Sequence, residues 1–224
     1  MHVYIAIQNT YDFFEMAFFI NGKLHDQLRE DKRHTSKMLI PLLDQLLKNN
    51  NLTLTDLSFI AVNCGPGPFS TLRSIIATAN GLHCAAHIPL ISIDGLDAAL
   101  SEFYDPGYEC TVVLLNAFNN DIYFAISSNG KSPVMGYKKI DLFLDELREK
   151  FPTQQIHFLG NGVDLHRNLI TEKYGDRAVI KQNNPQTCSI NQVGSLGLAA
   201  FLDKQPSSHY LSPLHLKKHP VEMI

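Results

Sequence analysis

His83 and His87 stand four residues apart in a stretch of helical periodicity, the spacing that brings two imidazoles to one metal ion. No Glu lies between them in the metalloprotease arrangement and no third ligand is signalled, so two surface histidines near a helix C-terminus is the favoured reading. His34 has no evident carboxylate partner in the sequence and reads as structural. Ser70, in Gly67-Pro68-Phe69-Ser70-Thr71, lacks the GxSxG elbow of a hydrolase nucleophile. Cys64, Cys84, Cys110 and Cys188 are widely spaced without a CxxC, which predicts reduced, largely buried thiols and neither zinc nor a disulfide framework. No catalytic residue and no metal site is assigned.

The turn Gly65-Pro66-Gly67-Pro68 is the most unusual stretch. Its glycines permit positive φ, whereas its prolines fix φ and remove two backbone donors. A phosphate cradle needs those N–H groups, and the turn matches neither GxGxxG nor GxxxxGK[ST]. It reads as a rigid elbow between a buried strand (residues 57–62) and a long helix (residues 70–87). Leu72, Ile75, Ile76, Ala79 and Leu82 form the core stripe of that helix, while Ser74, Ala77, Thr78, Gly81 and Ala85 form a stripe of small side chains. Small residues let another helix approach closely, so the stripe suits either a partner or tight packing inside the same lobe. Arg73 falls in the first turn, where the helix dipole disfavours a cation, which predicts an anion or carboxylate beside it.

The elements that position these residues occur twice. Residues 3–7 read as a buried strand, 8–12 as a turn and 13–20 as a second strand, closed by Asn21-Gly22, a type I′ hairpin signal. Shifted by 108 positions, residues 112–115, 116–121 and 122–127 repeat the pattern before Asn129-Gly130-Lys131, and Ala17 falls on Ala125. Residues 156–159 before Gly160-Asn161-Gly162 echo residues 57–62 before Gly65-Pro66-Gly67. Further helices are predicted over 35–47, capped by Thr35 or Ser36 with Pro41 as the awkward residue, and over 96–103, capped by Asp94 or Ser92. Others are predicted over 141–151 and over 191–202, capped by Ser189 or Asn191. The chain is thus expected to form two α/β lobes, residues 1–107 and 108–224 with a Pro106-Gly107 linker, the last segment packing back on the first lobe.

The 224 residues, 45% hydrophobic, suit one domain or two small ones. A net charge of -3, with cations gathered only at Lys217, Lys218, His215 and His219, disfavours independent RNA binding. The opening Met1-His2-Val3-Tyr4-Ile5 lacks a basic n-region and a long apolar h-region, and no run of 18 apolar residues occurs, which predicts a cytoplasmic chain that does not enter the membrane. Two-lobe ATPases and sugar kinases hold magnesium and phosphate with an acidic residue at the first hairpin of each lobe. Here those positions read Gln8 and Asn116. An amide can orient a phosphate but cannot neutralise the cation, so autonomous ATP hydrolysis is not expected.

The run from Gly65 to Arg73, followed by Ala77-Thr78-Ala79-Asn80-Gly81-Leu82 and Ile88-Pro89-Leu90, resembles the TsaB (YeaZ) family of tRNA threonylcarbamoyladenosine biosynthesis proteins, whose signature is GPGSFTGLR, then AKGL and IPL. The helix over 34–47 with its internal proline, Asp121-Ile122-Tyr123-Phe124, Gly160-Asn161-Gly162 and His209-Tyr210-Leu211 are similar to further family features. Pro68, Ser70, Thr71, Gln8, Asn116 and Ser212 depart from the pattern.

The resemblance implies an actin/Hsp70-like ATPase (ASKHA) fold: two duplicated lobes of mixed sheets flanked by helices, with a degenerate nucleotide site in which Gln8, Asn9 and Thr10 make at most a weak contact. It also implies a noncatalytic scaffold or activating subunit that pairs with TsaD, alongside the ATPase TsaE, in an assembly that modifies the adenosine beside the tRNA anticodon. The tRNA would be met through the complex, and a homodimer is the alternative pairing. No intrinsic cofactor is implied, with ADP or ATP at the complex junction. The metal-binding histidines of TsaD would fall near residues 93–100, where this chain has none. The implied partner face uses His34, Met38 and Leu42 of one helix and Arg73, Ser74, Ala77, Thr78, Gly81 and Ala85 of the next. The competing readings are a glycoprotease-like peptidase, which needs a metal or nucleophile, and a small-molecule kinase or ATPase of the same fold, which needs magnesium-dependent turnover.

Overall fold

In the computed structural model, which describes residues 1–128, 132–204, 210–214 and 216, Asn21 and Gly22 take φ of +48° and +85°. Both central residues of the turn are left-handed, as a type I′ hairpin requires. The second Asn-Gly-Lys turn (129–131), His209 and the cations His215, Lys217, Lys218 and His219 lie outside the described residues.

The first unit comprises Met1–Ala98 and Ser189–Leu214. Its sheet has the order β3-β2-β1-β4-β5, built from β1 (Val3–Asn9), β2 (Phe13–Ile20), β3 (Lys23–Asp31), β4 (Phe59–Asn63) and β5 (Leu90–Ile93). β1, β2 and β3 are antiparallel, whereas β1, β4 and β5 run parallel. Gln8 and Asn9, expected in the turn, still belong to β1 and pair with Glu15 and Phe14. On one face Val3, Ile5, Ile7, Ile60 and Val62 pack against α1 (Thr35–Asn49) and α2 (Phe69–Ala86). The alternate residues face α7 (Ile190–Leu202), where Phe201 stacks on Phe59 with centroids 4.6 Å apart. A strand buried on both faces must be apolar throughout, which is why β1 and β4 read as continuous hydrophobic runs.

α1 is not capped by Thr35 or Ser36. A 3-10 turn, Lys32–His34, precedes it, Asp31 Oδ1 accepts the Arg33 N–H at 2.8 Å, and Thr35 donates its hydroxyl back to the Lys32 carbonyl. Pro41 sits inside the helix with its side chain exposed, beside the exposed Lys37 whose carbonyl loses its usual donor. Water can satisfy that carbonyl, so the helix need not start later. Asp94 caps α3 (Gly95–Phe103) by accepting from Leu96 and Asp97, and Ser189 caps α7.

The second unit, within Ala99–Cys188, repeats the topology in the order β8-β7-β6-β9-β10: β6 (Cys110–Asn116), β7 (Asp121–Ser128), β8 (Val134–Lys139), β9 (Ile156–Leu159) and β10 (Ala178–Val179). Its core forms between β6, β7 and β9 and the helices α4 (Ile140–Lys150) and α6 (Arg167–Tyr174), with the short α5 (Asn161–Leu165) before α6. The chain passes between the units inside α3, upstream of Pro106-Gly107, and returns at Ser189. A helix carries its own backbone hydrogen bonds, so no change of composition marks the first crossing.

Candidate functional site

The carboxyl ends of β1, β4 and β5 converge, which is where parallel sheets place ligands. Gly65 has φ +103° and its N–H donates to Asn63 Oδ1 at 2.9 Å; its carbonyl accepts from Gly95 N at 2.7 Å. Asn63 Nδ2 reaches Gln8 Oε1 at 3.3 Å, and Gln8 Nε2 donates to Glu15 Oε1 at 2.6 Å. Gln27 Nε2 donates to the other oxygen, Glu15 Oε2, at 2.5 Å. Glu15 is thus a buried carboxylate held by two amides, a group the sequence reading missed and whose signal was the Gln-Glu-Gln pattern across three strands.

Gln8 is 1% exposed, and the Thr10 hydroxyl bonds the Phe13 carbonyl at 2.8 Å. Asn9 Nδ2 donates to Thr71 Oγ1 at 3.0 Å, and Asn9 Oδ1 is buried without a hydrogen-bond partner. The polar groups of this junction are largely bonded to one another, which stiffens it and leaves few donors for an anion. Burial pushes the Cys64 thiol and the Asp94 carboxyl above their ordinary pKa values, Asp94 while it caps α3.

α2 leaves this junction with its small stripe outward. Arg73, Ala77, Gly81 and Ala85 are exposed, Ser74 and Thr78 half-buried, and a Cβ built on Gly81 meets nothing within 4 Å. Among the described residues, packing inside the lobe therefore leaves Ala77, Gly81 and Ala85 uncovered. Arg73 is faced by an aromatic ring where a carboxylate was expected: its guanidinium lies 3.9 Å from the Phe69 centroid, an attraction that offsets the unfavourable dipole. Cys84 is also exposed, unlike the three buried cysteines.

On α1, His34 is exposed with Nδ1 3.1 Å from Glu30 Oε1, a partner the sequence reading had not found, and Met38 is half-buried. Leu42 is 5% exposed and belongs to the core, so it is corrected as a surface contact. Ile40, 53% exposed, is the apolar residue that α1 presents. His83 and His87 serve the helix end: His83 Nδ1 bonds the Ile88 carbonyl at 2.9 Å and His87 is left-handed at φ +53°. Among the described residues no group of three or more His, Cys, Asp or Glu side chains is placed to hold a metal ion.

The family model described as "TsaD: tRNA N6-adenosine threonylcarbamoyltransferase" matches residues 29–205. The tRNA threonylcarbamoyladenosine biosynthesis protein TsaB of Haemophilus influenzae is 30% identical over 54% of this chain and 52% of its own length. That of Buchnera aphidicola from Baizongia pistaciae is 23% identical over 96% and 97%. The chain belongs to this family, on its TsaB (YeaZ) branch.

The match to the Haemophilus TsaB spans about half of that relative. YeaZ-like structures from Pseudomonas aeruginosa superpose with TM-scores of 0.74 and 0.69 at 17% identity, covering 97% and 96% of this chain and the whole of theirs. Ethanolamine utilization protein EutJ from Carboxydothermus hydrogenoformans superposes at 0.52 with 10% identity over 88% of this chain and 91% of its own. Two mixed sheets of one repeated topology, with these neighbours, are the actin/Hsp70-like fold. No described helix is long and apolar enough to cross a membrane.

Proposed function

We propose that this TsaB-family chain is a noncatalytic scaffold or activating subunit of the tRNA threonylcarbamoyladenosine modification complex, docking TsaD through the outer faces of α1 and α2. A homodimer through the same face would be its resting form. The observation that carries this reading is an internal contrast. In the second unit, the segment between β9 and β10 exposes Asp164, Leu165, Asn168, Thr171 and Glu172 and carries the Arg167–Asp164 ion pair at 2.8 Å. The corresponding α2 exposes Ser70, Ala77, Gly81, Cys84 and Ala85, with Arg73 as its one charged side chain.

A solvated helix carries charge on its outer face, whereas a face of small side chains gains by admitting a second helix at short range. The bonded junction beneath α2 supports a positioning role, since Gln8, Asn63 and Thr10 are engaged within the fold. TsaE and an ADP or ATP molecule at the complex junction complete the proposed assembly. The test is reconstitution of tRNA modification from purified components with and without this chain, together with co-purification of the cognate TsaD. Modification that requires the chain, and a stable complex, are the expected results; full modification in its absence overturns the proposal.

A further inference from the structure

Residues 210–214 lie along α2. Asn80, 9% exposed, donates its side-chain N–H to the Leu211 carbonyl at 3.0 Å and accepts the Leu211 N–H at 2.8 Å, so one side chain makes the two bonds a neighbouring strand would make. The Leu211 side chain is 1% exposed and joins the core beneath α1 and α2, with Leu214 packed beside it. Leu214 N–H donates to the carbonyl of Cys64 at 2.9 Å, immediately before the elbow at Gly65. Tyr210, just outside the clamp, is 73% exposed. On α2, Asn80 stands three, four and seven positions from Ala77, Cys84 and Arg73, beside the exposed ridge.

We infer that residues 211–214 form a latch, with Asn80 as its positioning residue, that ties α2 to the proline-glycine elbow and presents Tyr210 beside α2 as part of one docking face. The inference rests on the docking proposed above. An irregular segment loses chain entropy on ordering, and here a paired amide, a buried leucine and one backbone bond offset that loss. Ala at position 80 leaves the Leu211 N–H and C=O without partners in a buried place, and Asp keeps the acceptor but removes the donor.

The test measures hydrogen exchange of the Leu211 and Leu214 amides in the full chain, and the affinity of the same proteins for purified TsaD. In the wild type both amides are expected to be protected. Asn80→Ala should raise their exchange by about tenfold or more and weaken TsaD binding by a similar factor. Tyr210→Ala should weaken binding and leave exchange unchanged. Where Asn80→Ala does not fold, Leu214→Pro removes the donor to Cys64 together with the packed Leu214 side chain, and exchange of the Leu211 amide should rise while TsaD binding weakens.

Protection that survives Asn80→Ala overturns the clamp. A latch that opens with binding unchanged overturns its place in the docking face. Failure of the wild type itself to bind TsaD refutes the docking reading and this part of the inference, while the exchange data still decide whether the latch exists.

Discussion

The two units share one strand order and differ at the junction that follows the central parallel strand. In the first, Gly65 follows Ala61, which pairs with Ala6, by four residues, and the Pro66-Gly67-Pro68 turn comes after it. In the second, Gly160 directly follows Leu159, which pairs with Val113. Both glycines have φ near +100°, yet Gly160 is pressed onto β6: a Cβ there would stand 2.2 Å from the Leu114 carbonyl oxygen. The longer junction launches one continuous helix with an open, small-residue face, and the shorter one launches two short helices whose exposed side chains include Asp164, Leu165, Asn168 and Glu172. A duplication thus leaves the sheets alike and diverges in what the strand ends present.

The sharpest way to break this comparison is Gly160→Ala. It combines a strained φ with a backbone collision and should cost about 3 kcal/mol or more in denaturant unfolding. Gly65→Ala, at the same φ but with its Cβ 2.8 Å from the side-chain Cδ2 of Leu72 in place of a backbone oxygen, should cost clearly less. Equal losses at the two sites would mean that the junctions are built alike.

Next in size, Gly81→Leu should leave folding intact, because nothing lies within 4 Å of its Cβ, and weaken TsaD binding by about a hundredfold, ~2.7 kcal/mol. Glu172→Leu on the second unit's charged surface is the control and should leave binding unchanged. Retention of full affinity by Gly81→Leu sinks the interface. Glu15→Leu should cost about 2 kcal/mol, since it strips the acceptors from the buried amide of Gln8 and the half-buried amide of Gln27. A neutral result would show that water replaces the carboxylate.

The smallest effect concerns His157, which pairs with Thr111 where the first unit pairs Phe59 with Tyr4. Its ring is buried, stacks 4.8 Å from Tyr108, and has Nδ1 without a hydrogen-bond partner; burial first, then Lys181, hold its pKa below the ordinary value, against Asp105, which raises it. The fold therefore favours neutral imidazole. Stability present above the unfolded pKa, about 6.5, is lost as pH falls through that value toward the lower folded one. His157→Phe gives the second sheet the aromatic residue of the first and should flatten unfolding free energy between about pH 7.5 and 5.5. An unchanged slope would assign the dependence to other groups.

The repeat was legible because hydrophobic strands and an Asn-Gly turn are local signals, but its uniform offset of 108 was not correct throughout. The paired registers make the second hairpin connection one residue longer: residues 10–13 lie between Asn9 and Phe14, and residues 117–121 between Asn116 and Ile122. Asn116 therefore matches Asn9 in place of Gln8, and Leu115 matches Gln8. A loop insertion leaves no mark on periodicity, so only the ladder reveals it. Leu42 was assigned to the partner face although its spacing with Leu39, Leu43 and Leu46 fits the core stripe where the structure puts it, and nothing local marks Ile40 as the exposed one.

By itself the sequence determined the two hairpins, the elbow chemistry and the existence of a small-residue stripe on α2, because φ preferences, missing proline donors and helical spacing are properties of neighbouring residues. Tertiary structure decided which way that stripe faces, that Phe69 holds Arg73, and that Asn80 receives Leu211 across 131 positions of chain. Those outcomes depend on which surfaces the remaining elements cover, and burial between distant segments is not written in local spacing.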